Sequence, residues 1–253
     1  RYAIENGINY YDTAWGYHYG KSENVIGEAL SKHDRSNFYL ASKFPGYDHS
    51  NFAKHEEIFE KQLEKCKVDY FDFYLFHNVF EGNIDKYVND DEGLREYLLA
   101  QKAAGRIKHL GFSIHGSQEV LLKFLEAHGD IVEFCQIQLN YLDYEFQDAK
   151  SKVEELNKRG IPIWVMEGLR GGKLAQSCLG AEEKLAEKRP EYTPANWGFS
   201  FLQTVPGVTM ILSGMSDMEQ LRQNIEFFSE EKKLTEDELN ILIDAAAEDT
   251  KAK

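Results

Sequence analysis

Four polar residues in the first third of the sequence are of types that can move a proton between groups. Asp12, Lys43 and His77 each close an aromatic-rich run, and Tyr17 follows Asp12 after four intervening residues. A carboxylate beside a lysine favours the ammonium, and an ammonium beside a phenol favours the phenolate. Asp12 and Lys43 together would make Tyr17 a better acid near neutral pH. His77 would orient a carbonyl oxygen by a hydrogen bond or help relay the proton.

The positions of these residues in their strands support a shared site. Each residue ends a series of same-face positions, namely Ile8, Tyr10, Asp12; Tyr39, Ala41, Lys43; and Phe73, Leu75, His77. A single Asp, Lys or His in such a place is more often a cap, a solvated charge or a structural group. Three such residues at the carboxyl ends of successive strands are a different case, because (β/α) barrels have their active sites at those ends.

Seven short runs rich in β-branched and aromatic residues predict strands. They begin at Ile8, Phe38, Phe71, Ile107, Phe134, Ile161 and Val208. Charged segments between them carry apolar residues three and four apart, for example Met218, Leu221, Ile225 and Phe228, which is the spacing of amphipathic helices. The alternation predicts an α/β protein with parallel strands in one domain over residues 1–253.

The predicted class is a (β/α)8 TIM barrel, which has eight strands, one more than the sequence shows. The opening run RYAIENG has the pattern of a helix that ends at Gly7, so we expect the first βα unit to be missing from this chain. An open doubly wound sheet is the alternative, but no GxGxxG turn follows any strand. Ser216 with Glu219, and Thr235 with Glu238, have capping-box spacing and predict two helix starts.

The composition excludes several classes of partner. The net charge of −14 would repel a phosphate backbone, which makes nucleic acid a poor partner. Three widely separated cysteines without CxxC spacing predict neither a disulfide framework nor a metal site. No apolar run reaches the roughly 20 residues of a membrane helix. We expect a cytoplasmic protein, and no oligomeric state follows from these features.

The run INYYDTAWGYHYGKSENVIGEAL resembles the signature of the aldo-keto reductase family, and ASKF and DFYLFH resemble its next two motifs. The resemblance extends to Asn224. It implies hydride transfer between a nicotinamide, NADPH or NADH, and an aldehyde or ketone, or the reverse oxidation of an alcohol. Tyr17 would be the proton donor, and Asp12, Lys43 and His77 its catalytic companions.

Later motifs resemble the cofactor cleft of this family. The resemblance places Ser113 and Gln136 on the nicotinamide carboxamide and Met166 against its ring. It implies that the run from Gly168 through Leu169, Arg170, Gly171 and Gly172 binds the cofactor, with Gly171 and Gly172 at the pyrophosphate, and that Gly214, Ser216, Gln220 and Asn224 belong to the adenosine end. A helix N-terminus at Ser216 would suit an anion. Gly214 and Gln220 replace the Lys and Arg with which many members hold a 2′-phosphate, so NADP preference stays open, with Arg170, Lys173 or Arg222 as possible substitutes.

The sequences of several motifs also resemble those of bacterial aldo-keto reductases that often carry a cysteine-rich, ferredoxin-like tail. An iron–sulfur cluster needs four thiolates, which three scattered cysteines cannot supply, so a cluster would require a C-terminal tail that this chain lacks. In the barrel itself no metal is expected. Trp15, His115 and Asn140 are candidate substrate-pocket residues for a small carbonyl or alcohol.

Two other functions remain open at this point. The first is a nicotinamide-binding regulatory or redox-sensor protein with little turnover, which the resemblance to potassium channel β subunits allows. The second is a Schiff-base lyase that uses Lys43 as a nucleophile. A nucleophilic lysine must be neutral, whereas pairing with Asp12 would keep Lys43 charged.

Overall fold

The computed structural model describes residues 1–251. The chain divides into two compact units, the first over Arg1–Cys135 and the second beginning at Gln136. The single domain over 1–253 stays a prediction, and residues 252–253 lie outside the described part.

The first unit contains four parallel strands that pair in chain order. They are β1 Tyr10–Asp12, β2 Tyr39–Phe44, β3 Phe71–Val79 and β4 Ile107–Ile114. Its helices are α1 Tyr2–Glu5, α2 Tyr17–Gly20, α3 Ser22–Leu30, α4 His55–Cys66, α5 Ile84–Asn89, α6 Leu94–Ala103 and α7 Gln118–His128, with 3₁₀ turns at Arg35–Asn37 and His49–Lys54.

Close packing of α3 on α4 fixes the segment that follows β1. A Cβ at Gly27 of α3 would lie 2.4 Å from the carbonyl oxygen of Lys65 in α4. Only a glycine permits this approach of the two backbones. On the other side of α4, the ring of Phe59 packs 5.2 Å from that of Tyr74 in β3, which anchors the helix to the strands.

The second unit carries the remaining strands and helices. The strands are β5 Cys135–Gln138, which starts at the boundary, β6 Ile163–Met166 and β7 Val208–Ile211. The helices are α8 Asp143–Phe146, α9 Ala149–Lys158, α10 Lys173–Gln176, α11 Glu182–Ala186, α12 Pro194–Thr204, α13 Met218–Phe227 and α14 Glu236–Lys251. β6 pairs in parallel with β7, and the N–H of Leu139, just after β5, donates to Met166 O at 3.2 Å.

Every predicted strand is present, and helices alternate with strands in both units. Gly7 follows the first helix with φ +91°, as predicted for a helix stop. The start at Thr235 is confirmed, because Thr235 and Glu238 exchange backbone-to-side-chain hydrogen bonds. The start at Ser216 is wrong by one residue, since Asp217 is the N-cap of α13 and its carboxylate accepts from the N–H of Gln220.

Candidate active site

The register of the first three strands brings three polar side chains toward one level. Asp12 pairs with Ala41, and Lys43 stands two residues further along β2 on the same face. Lys43 in turn pairs with Leu75, and His77 stands two residues further along β3. Lys43 thus lies two residues beyond the partner of Asp12, and His77 lies two residues beyond the partner of Lys43. Such a regular offset is expected of the staggered strands of a barrel.

Lys43 is completely buried at the centre of this group. Its ammonium donates to the Asp12 carboxylate and, at 2.8 Å, to the carbonyl oxygen of Thr13, and lies 4.7 Å from the ring centre of Tyr17. Burial by itself lowers the pKa of Lys43, but Asp12 and Tyr17 outweigh it and leave that pKa above its ordinary value. The buried lysine therefore carries its positive charge beside the phenol.

Tyr17 lies in the strained turn after β1. The next three residues, His18, Tyr19 and Gly20, have φ of +51°, +57° and +78°. Left-handed backbone at the two non-glycine residues costs on the order of 1–3 kcal/mol each, a strain that surrounding contacts must hold. The Tyr17 ring packs edge-on against His77, with centroids 5.6 Å apart.

Lys65 of α4 holds this turn from the side. Its ammonium donates to the carbonyl oxygen of Gly20 at 3.3 Å and to Glu23 at 3.2 Å, and lies 4.1 Å from the ring centre of Trp15. Glu23 is fully buried and also accepts from Ser42 at 2.7 Å. Trp15, predicted to line a substrate pocket, therefore has one face packed on Lys65.

His77 is buried between two tyrosines. The rings of Tyr17 and Tyr47 meet it edge-on, at 5.6 and 5.5 Å. Burial first, and then the charges of Lys43 and His115, lower the pKa of His77 well below its ordinary value, so the ring is neutral. Its Nδ1 has no hydrogen-bond partner among the described residues.

Two residues missed by the sequence analysis fix the backbone at His77. The Tyr87 hydroxyl donates to the carbonyl oxygen of His77 at 2.9 Å. Asn78 has a left-handed backbone with φ +53°, and its N–H donates to Ser113 Oγ at 2.8 Å. Nothing in the run DFYLFHNV signals this conformation. Ser113 is buried, whereas His115 is exposed.

In the second unit Gln136 and Met166 contact each other. Gln136 Nε2 donates to the Met166 sulfur at 3.6 Å, while Gln136 Oε1 is buried and has no hydrogen-bond partner in the described part of the chain. A buried acceptor without a partner costs about 1–3 kcal/mol. A ligand amide would satisfy it.

A cleft of ≈ 770 Å³ opens in the second unit between the loop after β6, the start of α12, the loop after β7 and α13. The predicted cofactor residues that line it are Gly168, Leu169, Gly171, Gly172, Gly214, Gln220 and Asn224. Thr193, Phe199 and Gln223, which sequence reasoning missed, line it as well.

The Aldo/keto reductase family model matches residues 1–247 of this chain. The chain belongs to the aldo/keto reductase family. It is 28% identical to the uncharacterized oxidoreductase YqkF of Bacillus subtilis (strain 168), over 95% of this chain and 84% of that protein. It is 23% identical to L-galactose dehydrogenase of Arabidopsis thaliana, over 94% of this chain and 79% of that protein.

Solved structures share the fold of this aldo/keto reductase. The holo form of an aldo-keto reductase from Bacillus halodurans matches with a TM-score of 0.75 at 21% identity, covering 96% of this chain and 84% of that one. One from Klebsiella pneumoniae, in complex with NADPH, matches with a TM-score of 0.72 at 22% identity, covering 95% and 80%. The predicted barrel class is confirmed, with seven strands in residues 1–251 where a full barrel has eight. The prediction of an NAD(P)-dependent oxidoreductase is confirmed at the level of the family.

Three residues of the reductase predicted to meet ligands are engaged elsewhere. Asn140 is fully buried, and its amide donates to Asp143 at 2.7 Å and to the carbonyl oxygen of Glu167 at 3.0 Å, which argues against a place in a substrate pocket. Arg170 pairs with Asp143 and is absent from the residues that line the cleft. Ser216 is also absent from that lining, and its N–H donates to the side chain of Gln220.

The remaining features concern metal-binding side chains, membrane-spanning helices and cysteines. Among residues 1–251, no group of three or more His, Cys, Asp and Glu side chains has an arrangement that could hold a metal ion. In the same residues, no helix is long and apolar enough to span a bilayer. The cysteines Cys66, Cys135 and Cys178 are free and buried.

Proposed function

We propose that this protein reduces an aldehyde or ketone, or oxidises the corresponding alcohol, with Tyr17 as the proton donor. The observation that carries the proposal is the buried, charged Lys43, which is bonded to Asp12 and lies against the Tyr17 ring. A fully buried ammonium is costly to maintain. Its position beside a phenol is explained if that phenol must pass through a phenolate during the reaction.

A bound nicotinamide supplies or accepts the hydride. Tyr17 then protonates the carbonyl oxygen, and the fixed charge of Lys43 stabilises the phenolate that remains. Asp12 keeps Lys43 charged and in place. His77 is neutral, so we assign it the role of orienting the carbonyl oxygen by a hydrogen bond rather than that of the acid.

The chain offers groups that fit a nicotinamide dinucleotide. The orphaned Oε1 of Gln136 suits the carboxamide N–H₂, and Met166 beside it suits the ring. Gly171 and Gly172 have positive φ and open space where a Cβ would stand, which lets a pyrophosphate approach the backbone. We further propose that Ser113 contacts the carboxamide, because its buried hydroxyl accepts from Asn78 and keeps its own proton to donate.

The raised pKa of Lys43 disfavours the Schiff-base alternative, which needs a neutral amine. The regulatory or sensor alternative predicts dinucleotide binding without turnover. A panel of small aldehydes, ketones and alcohols, assayed with NADH and with NADPH, separates it from the reductase, since a sensor would consume neither.

The decisive experiment is Tyr17→Phe, which removes the proton donor and keeps the ring. We expect unchanged dinucleotide affinity and a kcat/KM for carbonyl reduction lower by about 10²- to 10⁴-fold. Tyr19→Phe is the matched control, because Tyr19 lies in the same turn and is fully exposed. Near-normal turnover by Tyr17→Phe would refute the mechanism.

A further inference from the structure

The cleft of the second unit lacks positive charge. Its lining in the described structure contains neither lysine, arginine nor histidine, and its one ionisable side chain is the carboxylate of Glu167. The remaining lining is glycine, apolar side chains, hydroxyls and amides. An anionic ligand in this cleft therefore depends on backbone N–H groups and neutral side chains.

Cations on the neighbouring segments face carboxylates of this chain. Arg170 lies 3.3 Å from Asp143, and Lys173 lies 3.2 Å from Asp249. On α13, Arg222 stands two positions from both Gln220 and Asn224, which line the cleft, and side chains with that spacing point in different directions around a helix. The three cations considered as substitutes for a phosphate clamp thus lie outside the lining of the cleft.

The start of α13 adds negative charge beside the cleft. Asp217 caps the helix by accepting the N–H of Gln220 at 2.8 Å, and Glu219 follows in the first turn. The Gln220 side chain accepts the N–H of Ser216, also at 2.8 Å. The helix end that would attract a phosphate is thereby capped by a carboxylate of the chain itself.

We propose that this cleft selects the nicotinamide dinucleotide whose adenosine ribose has a free 2′-hydroxyl, NADH, over its 2′-phosphorylated counterpart, NADPH. The inference rests on the proposed function and specifies its cofactor. A phosphomonoester carries a charge of about −1.5 to −2 at neutral pH. Placing it near Asp217 and Glu167, with no cation in the lining, brings like charges together, which costs several kcal/mol in protein interfaces. A ribose hydroxyl has no such penalty and can bond to amides such as those of Gln220 and Gln223.

The test is a pair of equilibrium titrations of the whole protein with NADH and with NADPH, followed by protein fluorescence. We expect NADH to bind at least about tenfold more tightly at low salt. Because the penalty is electrostatic, raising sodium chloride from about 0.05 to about 0.5 M should reduce the difference. Equal or tighter binding of NADPH overturns the inference and leaves the proposed function standing, whereas binding of neither dinucleotide overturns both.

Variants test the cause. Gln220→Arg, and Gly214→Lys at a position where a Cβ meets nothing within 4 Å, each place a cation in the cleft. Each should raise the affinity for NADPH relative to that for NADH by about tenfold or more. Asp217→Ser keeps a capping side chain and removes the charge, so it should shift the ratio in the same direction. Glu226→Gln, at the exposed far end of α13, is the control. An unchanged ratio in all three cleft variants contradicts the electrostatic explanation.

Discussion

The guanidinium of Arg170 lies 3.3 Å from the carboxylate of Asp143, whose side chain has no exposed surface. The same carboxylate accepts the side-chain amides of Gln138, at 2.8 Å, and Asn140, at 2.7 Å. Arg170 and Glu167 both have left-handed backbones, with φ of +49° and +57°. An ion pair between a partly exposed arginine and a buried carboxylate thus holds a strained loop whose glycines line the cleft.

Asp143→Asn should therefore weaken dinucleotide binding. The substituted amide would face the amide donors of Gln138 and Asn140, and Arg170 would lose its counter-charge. We expect a Kd increased by about tenfold and a loss of about 1–3 kcal/mol in the free energy of unfolding, with kcat at saturating cofactor little changed. Fluorescence titration and urea unfolding measure these effects. Glu145→Gln, on the exposed side of α8, is the control, and equal affinities in the two variants would dismiss the loop-anchoring role.

Asp12→Asn tests how Lys43 keeps its charge. Without Asp12, burial lowers the pKa of Lys43 with less opposition. Leaving a buried charge unpaired costs about 3–5 kcal/mol, and the partial exposure of Asp12 reduces this to roughly 3 kcal/mol. Reduction should slow, and the rate should begin to fall at a lower pH than in wild type as Lys43 becomes neutral. Glu57→Gln, which breaks an exposed pair with Lys61, should change stability by less than about 1 kcal/mol, and a pH–rate profile identical to wild type in Asp12→Asn would contradict the assignment.

His77 should make stability depend on pH in the acid range. Its folded pKa is lowered, so between that value and about 6.5 the unfolded chain binds a proton that the folded protein does not. Stability is therefore full above this window and falls as the pH decreases through it, by at most about 1.4 kcal/mol per pH unit. Urea unfolding at pH 7.5 and pH 5.5 should show a smaller difference in His77→Gln than in wild type. Burial also lowers the pKa of His128, which leaves part of the dependence in place. Exposed His49→Gln should behave like wild type, and the same result for His77→Gln would show that His77 does not contribute.

Gly27→Ala should be strongly destabilising, because its Cβ would overlap the backbone of Lys65 and Cys66. Overpacking of this kind costs about 1–3 kcal/mol, occasionally more. Pushing α4 away would also displace Lys65 from the turn that carries Tyr17. Gly214→Ala is the control in the same unfolding assay, since its Cβ would enter open space. Equal stability of the two variants would mean that the α3–α4 contact adapts freely.

The strands and the clustering of Asp12, Lys43 and His77 could be predicted because periodic burial and same-face spacing are local properties of a sequence. Asp12, Lys43 and His77 lie in phase at or near the carboxyl ends of their strands. In the register, Lys43 lies two residues beyond the partner of Asp12, and His77 two residues beyond the partner of Lys43. The assignment of Tyr17 rests on its separation from Asp12 and on the family resemblance, and its role stays a prediction.

Other parts of the site depend on contacts between residues far apart in the sequence. The N–H of Asn78, which has a left-handed backbone, donates to the hydroxyl of Ser113, 35 residues away. A local sequence pattern cannot predict such a long-range hydrogen bond. The sequence predicts Asn140 in a substrate pocket, but its side-chain amide donates to the buried carboxylate of Asp143. The helix start at Ser216 failed because Asp217, one residue later, is an equally good cap.

The register offsets each of Asp12, Lys43 and His77 by two residues from the strand partner of the one before. This offset limits how this part of the sequence can change during evolution. Side chains alternate between the two faces of a strand, so inserting or deleting one residue ahead of Lys43 within β2 would turn it to the opposite face. Substitutions at neighbouring positions leave the offset intact. Length variation should therefore accumulate in the connections between strands, while the lengths of β1, β2 and β3 stay constant among active descendants of this protein.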